Sequence, residues 1–345
     1  MDPKFRLWLE EGGSYIIGEK EARILEGIRR YGSIMSAAKS MGITYAHAWN
    51  LIERLSLKLG TPIVSARRGG ESGGGATLTD AGSKLLSKYL ELEERIAGSI
   101  GVPRTNIFCE VTRSDLVIAG SSCFGVKIIA KLIEKVSVEV IEIGSKAGVT
   151  AVMLGEADVA GIHIFDEKTK TYNTVYLKST WTSGTAIMIK GYIREQGLIV
   201  RRGNPKGIRS LRDAVETKAT IVNRNLGSGT RDLLERLMKE EGVNRFELKG
   251  YDHEVRSHEE VAIAIKSGAA DFGLGIRAAA LAQDLDFIKI CDEEFDFVCD
   301  SRMMHKAGVK TFVETLKSEN FRRALEIIPG LSCTSNTGDL IEIRE

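Results

Sequence analysis

Residues 32–55 read GSIMSAAKSMGITYAHAWNLIERL. A serine follows a glycine, a short run carries Ala37 and Ala38, Gly42 breaks the pattern, and a longer run opens at Thr44. Serine and threonine cap helix N-termini because their hydroxyls accept from the first free backbone N–H groups. In the longer run Ala48, Ile52, Leu55 and Leu59 recur at helical spacing, which predicts one buried stripe. Upstream, KEARILEGIRR (20–30) puts Ile24, Leu25 and Ile28 on one helix face. Helix, short helix, glycine turn and longer helix form a helix-turn-helix pattern, whose second helix enters the DNA major groove. The candidate DNA contacts are therefore Ser33, Thr44, Tyr45, His47, Asn50 and Arg54, the last four expected on the outward side. Asn50 can pair with adenine through two hydrogen bonds, and Arg54 with guanine or phosphate.

Working outward, PIVSARRGGESGGGATLT (62–79) places two extended pieces around a glycine-rich tip, the pattern of a β-hairpin wing. Arg67 and Arg68 at its base suit phosphate contacts. From Thr79, DAGSKLLSKYLELEERIAGSI (80–100) predicts one long helix with Leu85, Tyr89, Leu92, Ile96 and Ile100 in a stripe. That stripe suits a partner helix, hence a homodimer on double-stranded DNA with a palindromic operator; packing on its own domain is the alternative. Residues 20–70 hold nine Lys or Arg against three Glu, while the chain as a whole is +1. The excess of basic charge is confined to this segment, which points to a polyanionic partner for it alone.

These residues resemble the N-terminal domain of the ModE family, the molybdenum-responsive regulators, which share the winged helix of LysR-type regulators. The resemblance rests on the GS…AA start, GITY…AW, the glycine-rich wing and LT..G at its end, over about residues 20–100. Glu71 and Ser72 interrupt the wing glycines. The resemblance implies a transcription regulator, with a DNA-binding domain at 1–100 whose linker helix (79–100) dimerises. Relatives of that domain usually continue into small oxyanion-binding barrels, and this chain does not.

After GSIGVPRTN (98–106), which reads as a linker, strand and helix patterns alternate. DLVIAG, VEVIEIG, ADVAGIHI and ATIVNR read as strands, and FGVKIIAKLIEK and SKAGVTAVMLG as helices. Repeated βα units predict a parallel α/β sheet, with ligands beyond the strand C-termini at helix N-termini. Three serine-bearing turns fall there: Ser121 and Ser122, Ser145 and Lys146, and NRNLGSGTRDLL (223–234) with Asn225, Ser228, Gly229, Thr230 and Arg231. A P-loop is excluded in that last stretch because no lysine follows the glycines. Helix caps explain each turn singly.

GEADVAGIHIFD, YIREQGLIVRRGNPKGI, VNRNLGSGTRDLL, GYDHEVRSHEEVAIAI and SGAADFGLGIRAAA resemble the type II periplasmic-binding-protein fold. That resemblance implies a two-lobed effector domain at 114–345, its smaller lobe near 193–272, with crossings near IREQGLIV and FGLGI. Tyr192, an aromatic candidate, and His258, in the polar run DHEVRSHEE, join the candidate ligand residues; for His258 a core or surface histidine is the alternative. The first loop, SSCF, departs from the family's pattern.

The expected ligand is a small oxyanion, molybdate or tungstate. Those ions carry no proton at neutral pH, and the turns SSC, SKAG and GSGT hold hydroxyls and N–H groups but no Asp or Glu. A molybdopterin-type cofactor would need aromatic walls, for which Trp181 and Tyr192 are candidates. An enzyme of molybdenum cofactor metabolism is the alternative class. Against it, HExxH is absent, no GxSxG elbow between a strand and a helix appears, and Cys123 has no recognisable His partner. Five scattered cysteines without a CxxC pair argue for reduced thiols and no zinc site. No 18-residue apolar run occurs, and the N-terminus does not resemble a signal peptide, so the expected location is the cytoplasm, with no membrane contact.

Overall fold

Ser33, Thr44 and Thr79 each cap a helix in the computed structural model, accepting from the backbone N–H of Ser36, His47 and Gly82. Residues 5–70, 73–101, 114–121, 123–181 and 184–344 are described. The chain divides into two units, residues 1–117 with 150–158 and residues 118–149 with 159–345.

In the first unit, helices Glu19–Tyr31, Ile34–Ser40 and Tyr45–Leu59 are followed by the antiparallel wing strands Val64–Gly70 and Gly73–Leu78. The helix Asp80–Ile100 comes next. Its Gly82 lies against the Ile63 carbonyl, where a Cβ would stand 2.2 Å from the oxygen. A glycine there lets the helix close on the strand. Ile24, Leu25, Ile28, Ala37, Ala38, Ala48, Ile52 and Leu55 form the core, as the spacing predicts. An antiparallel hairpin, Trp8–Glu11 with Ser14–Gly18, precedes the helices. It was not expected.

Two faces differ from the expectation. Tyr45 is buried and stacked on Trp49, because it lies three residues before Ala48 and so shares its face. The long helix buries Gly82, Leu86, Tyr89, Glu93 and Ala97; Leu85, Leu92 and Ile96 are only half-buried and Ile100 is exposed. The rotation has two causes: Glu93 pairs with buried Arg23, and the Tyr89 hydroxyl donates to the Leu7 carbonyl at 3.2 Å. This face therefore packs on its own unit.

In the second unit one sheet runs through ten strands. Parallel strands Leu116–Gly120 and Val159–Ile162 lie beside Val138–Glu142 in one half. Ile221–Arg224, Glu254–Val255 and Phe272–Ile276 pair in parallel in the other. Two 15-residue antiparallel strands, Ala186–Val200 and Asp286–Asp300, run through both halves and make the crossings. The first contains IREQGLIV, as expected. The return crossing is at 286–300; FGLGI instead forms the strand 272–276 inside the second lobe, paired with 196–200. Apolar clusters around Leu198, Leu234 and Phe272 and around Val261, Ile265 and Ile276 hold this second lobe together.

Candidate functional site

The strand C-termini and both crossings bring a buried polar cluster together. Ser121 follows strand 116–120, Ser145 opens the helix Ser145–Met153, and His163 follows strand 159–162. From the other half, Gly229 opens the helix Gly229–Glu241 and His258 opens His258–Ser267. Arg194 and Gln196 lie two residues apart on the first crossing, hence on one face, and Glu293 is the register partner of Arg194.

Glu293 is the hub. One oxygen accepts from Arg194 and from Gln196 Nε2 (3.0 Å), and the other contacts His163 Nδ1 at 2.6 Å. His163 Nε2 in turn meets Ser121 Oγ at 2.7 Å, and its backbone N–H donates to Ser145 Oγ at 3.2 Å. Gly229 packs on the imidazole, where a Cβ would come within 2.6 Å of the ring. The Arg194 guanidinium lies 4.8 Å over the Phe295 ring, which also stacks on Tyr192.

Electrostatics set the protonation states. Burial would raise the Glu293 carboxyl, but Arg194 and His163 overcome it and hold the group well below the usual carboxylate range, so it is ionised. Burial, then Arg194, push the His163 imidazole down; burial, Arg224 and Arg194 push His258 further down. Both histidines are neutral. Burial and the nearby Arg194 lower the Arg224 guanidinium to about 10, still charged at neutral pH. One buried cation, Arg194, and one half-buried cation, Arg224, thus face one carboxylate. Arg194 is fully buried, yet neither Nη1 nor Nη2 has a hydrogen-bond partner among the described residues; Arg224 Nε, His258 Nδ1 and Gln196 Oε1 share that condition. Buried charges and donors are stable only when paired, so the arrangement suits an anion that accepts from Arg194 and Arg224.

The other expected ligand residues fall differently. Thr230 is buried and accepts from Gln196 Nε2 at 3.2 Å. Ser228 caps its helix through the Arg231 N–H, and Asn225 lies in the turn before it. The Arg231 guanidinium is taken up by Glu235, Glu254 and the Tyr251 ring. Lys146 is exposed, Tyr192 is buried beside Phe295, and Ser122 lies outside the described residues. Arg194, Gln196, Glu293, His163 and Arg224 were not anticipated. Outside the SSC, SKAG and GSGT turns, the crossing supplies a carboxylate in Glu293.

Among the candidate DNA contacts, His47, Asn50 and Arg54 are exposed on the second helix of the helix-turn-helix. Thr44 caps that helix, and Arg67 and Arg68 lie in the first wing strand. Ser33 donates to Glu156, whose carboxylate also accepts from the Ile34 and Met35 N–H groups. Glu156 belongs to the 150–158 segment of the same unit.

The two neutral histidines make stability depend on pH. Unfolded, each titrates near 6.5; folded, each titrates lower, so below that pH the unfolded chain binds more protons. Stability is full above that value and is lost as pH falls, at about 1.4 kcal/mol per pH unit for each histidine. Melting curves between pH 7.5 and 5 are expected to fall, less steeply for His258→Gln. A variant slope equal to that of the wild type would contradict the assignment.

Two family models match the chain: a PBP superfamily domain over residues 127–317, and a bacterial regulatory helix-turn-helix protein of the lysR family over 20–83. The uncharacterized protein YvgK of Bacillus subtilis is 34% identical over 187 residues, 54% of this chain and 60% of its own. Molybdenum-pterin-binding protein MopB of Rhodobacter capsulatus is 40% identical over 89 residues, 26% of this chain and 33% of its own. Molybdenum transport protein ModE of Azotobacter vinelandii is 35% identical over 88 residues, 26% of this chain and 33% of its own. The chain thus spans about 60% of the first of these relatives and a third of the other two. Among the described residues no helix is long and apolar enough to cross a membrane.

Proposed function

Starting from a chain that belongs to the PBP superfamily and carries a LysR-type helix-turn-helix domain, we propose that it is an anion-responsive transcription regulator. The observation that carries the effector reading is Arg194, a fully buried guanidinium whose two amino groups have no partner among the described residues, with the half-buried Arg224 as a second cation. The relatives' names, molybdenum transport protein ModE and molybdenum-pterin-binding protein MopB, favour molybdate or a molybdenum pterin, and tungstate is included as an ion of the same charge and shape as molybdate. The chain acts by binding rather than by catalysis. Binding at the second unit changes the affinity of the first for operator DNA, a linkage that is reciprocal by thermodynamic necessity. The half-buried Leu85, Leu92 and Ile96 with exposed Ile100 support a homodimer through the long helix, on a palindromic operator.

Melting of the full chain with molybdate, tungstate, phosphate, sulfate and a pterin carboxylate tests the effector half. A ligand at a hundred times its Kd raises stability by about 2.7 kcal/mol, visible as a shift of a few degrees. A flat response to the whole series would sink the reading. Asn50→Ala tests the DNA half. It is expected to cost about 1–3 kcal/mol of discrimination at one base position, while Arg67→Ala weakens all sequences alike. Gel shifts across salt concentrations separate the two, and equal loss on all sequences for Asn50→Ala would exclude it as a base contact.

A further inference from the structure

The Glu293 hub fixes more than charge; it fixes which way every nearby proton points. Glu293 is ionised and only accepts, so the His163 proton sits on Nδ1. His163 Nε2 is then an acceptor, and the Ser121 hydroxyl spends its proton on it. The order hydroxyl, imidazole, carboxylate is that of a hydrolase triad. Its consequence in a binding cleft is that Ser121 Oγ presents lone pairs. The same carboxylate orients Gln196. Nε2 must face Glu293, since Oε1 there would set acceptor against acceptor, and Nε2 also reaches Thr230 Oγ1. Gln196 Oε1, on a side chain 1% exposed, is left with no donor among the described residues. The site therefore joins unpartnered cationic donors to two fixed acceptors. A tetraoxo dianion such as molybdate or tungstate supplies acceptors only, and would set its oxygen lone pairs against those of Ser121 and Gln196, so among the effectors proposed above the site favours the pterin.

We infer that Ser121 Oγ and Gln196 Oε1 select, among anions, those that carry their own hydrogen-bond donor: a protonated oxyanion, or an organic anion with N–H groups. This rests on the reading of the Arg194 cluster as an anion site. Gln196 is the specificity-determining residue, and it also lines a cavity of about 50 Å³ with His163, Gly229, Asp232, Arg236 and Glu293.

Hydrogen phosphate and sulfate isolate the effect, being alike in size and in charge at pH 7.5 and differing by one O–H. Calorimetry on the full chain is expected to show hydrogen phosphate bound roughly a hundredfold more tightly than sulfate, because a site built around a ligand hydroxyl rejects the analogue lacking it. The ratio should fall towards one in Gln196→Met and in Ser121→Ala. Should either variant not fold, the wild-type ratio decides. Pterin-6-carboxylate separates the two sources: tighter binding than phosphate assigns the donor to an organic N–H, weaker binding to a protonated oxyanion. Sulfate and molybdate binding as well as or better than both would overturn the role of Ser121 and Gln196 while leaving the anion site standing. No binding of any of the four would remove the anion site itself, and this inference with it.

Discussion

Arg194→Met is expected to abolish the anion-induced rise in melting temperature and to lower the melting temperature without ligand. Arg194 is fully buried and shares one Glu293 oxygen with Gln196. Removing it leaves the buried Glu293 carboxylate without the cation bonded to it, and breaking a buried pair on one side costs about 3–5 kcal/mol. It also removes both amino groups that lack a partner among the described residues and that are proposed to meet the anion. Arg194→Lys keeps the charge but offers a compact ammonium instead of a planar fork, so it should recover stability better than affinity. Calorimetric melts of both variants, with and without anion, give the split. A methionine variant that melts like the wild type and still responds to anions would contradict this assignment.

Arg23→Met is expected to produce the second large loss, in the DNA-binding unit. Arg23 and Glu93 are both buried and paired, joining the first helix to the long one, and Arg23 also holds Glu26 at 3.2 Å. Stranding Glu93 should cost about 3–5 kcal/mol, whereas replacing both residues with apolar ones of similar volume should restore most of it. Urea denaturation of the two single variants and the double variant tests the pair. Additive single losses would mean the two residues do not act together.

Much of the fold was legible. The caps Ser33, Thr44 and Thr79 and the apolar spacing of the first three helices read directly, because short-range periodicity dictates them. The hairpin before the first helix also carried a signal, the pair Gly12 and Gly13, which takes the positive φ of its tight turn. The long helix was read one face off, since Leu85 and Leu92 are as apolar as the residues it buries; only the distant partner Arg23 decides that Glu93 turns inward.

The site was legible in its loops and not in its crossings. Ser121, Ser145 and Gly229 sit at strand ends, where parallel sheets place ligands. Arg194, Glu195 and Gln196 form an unbroken polar run in YIREQGLIV, with no alternation to mark which face is interior. Only pairing with 286–300 reveals that the face of Arg194 and Gln196 is interior and that Glu293 stands opposite. Arg231 shows the reverse: in sequence it adjoins the glycine turn, but Glu235 and Glu254 engage its guanidinium.

The central claim, that an anion at Arg194 sets DNA affinity, is tested most directly by one titration. A labelled duplex, selected by the full chain from a randomised pool, is titrated with wild type and Arg194→Lys at fixed salt, with and without the tightest-binding anion of the calorimetric series. The expected result is a change in duplex affinity of roughly 5- to 150-fold for the wild type, the usual span of allosteric coupling. For Arg194→Lys the change should shrink while affinity without anion is retained. Duplex affinity that is the same with and without saturating anion in the wild type would contradict the account.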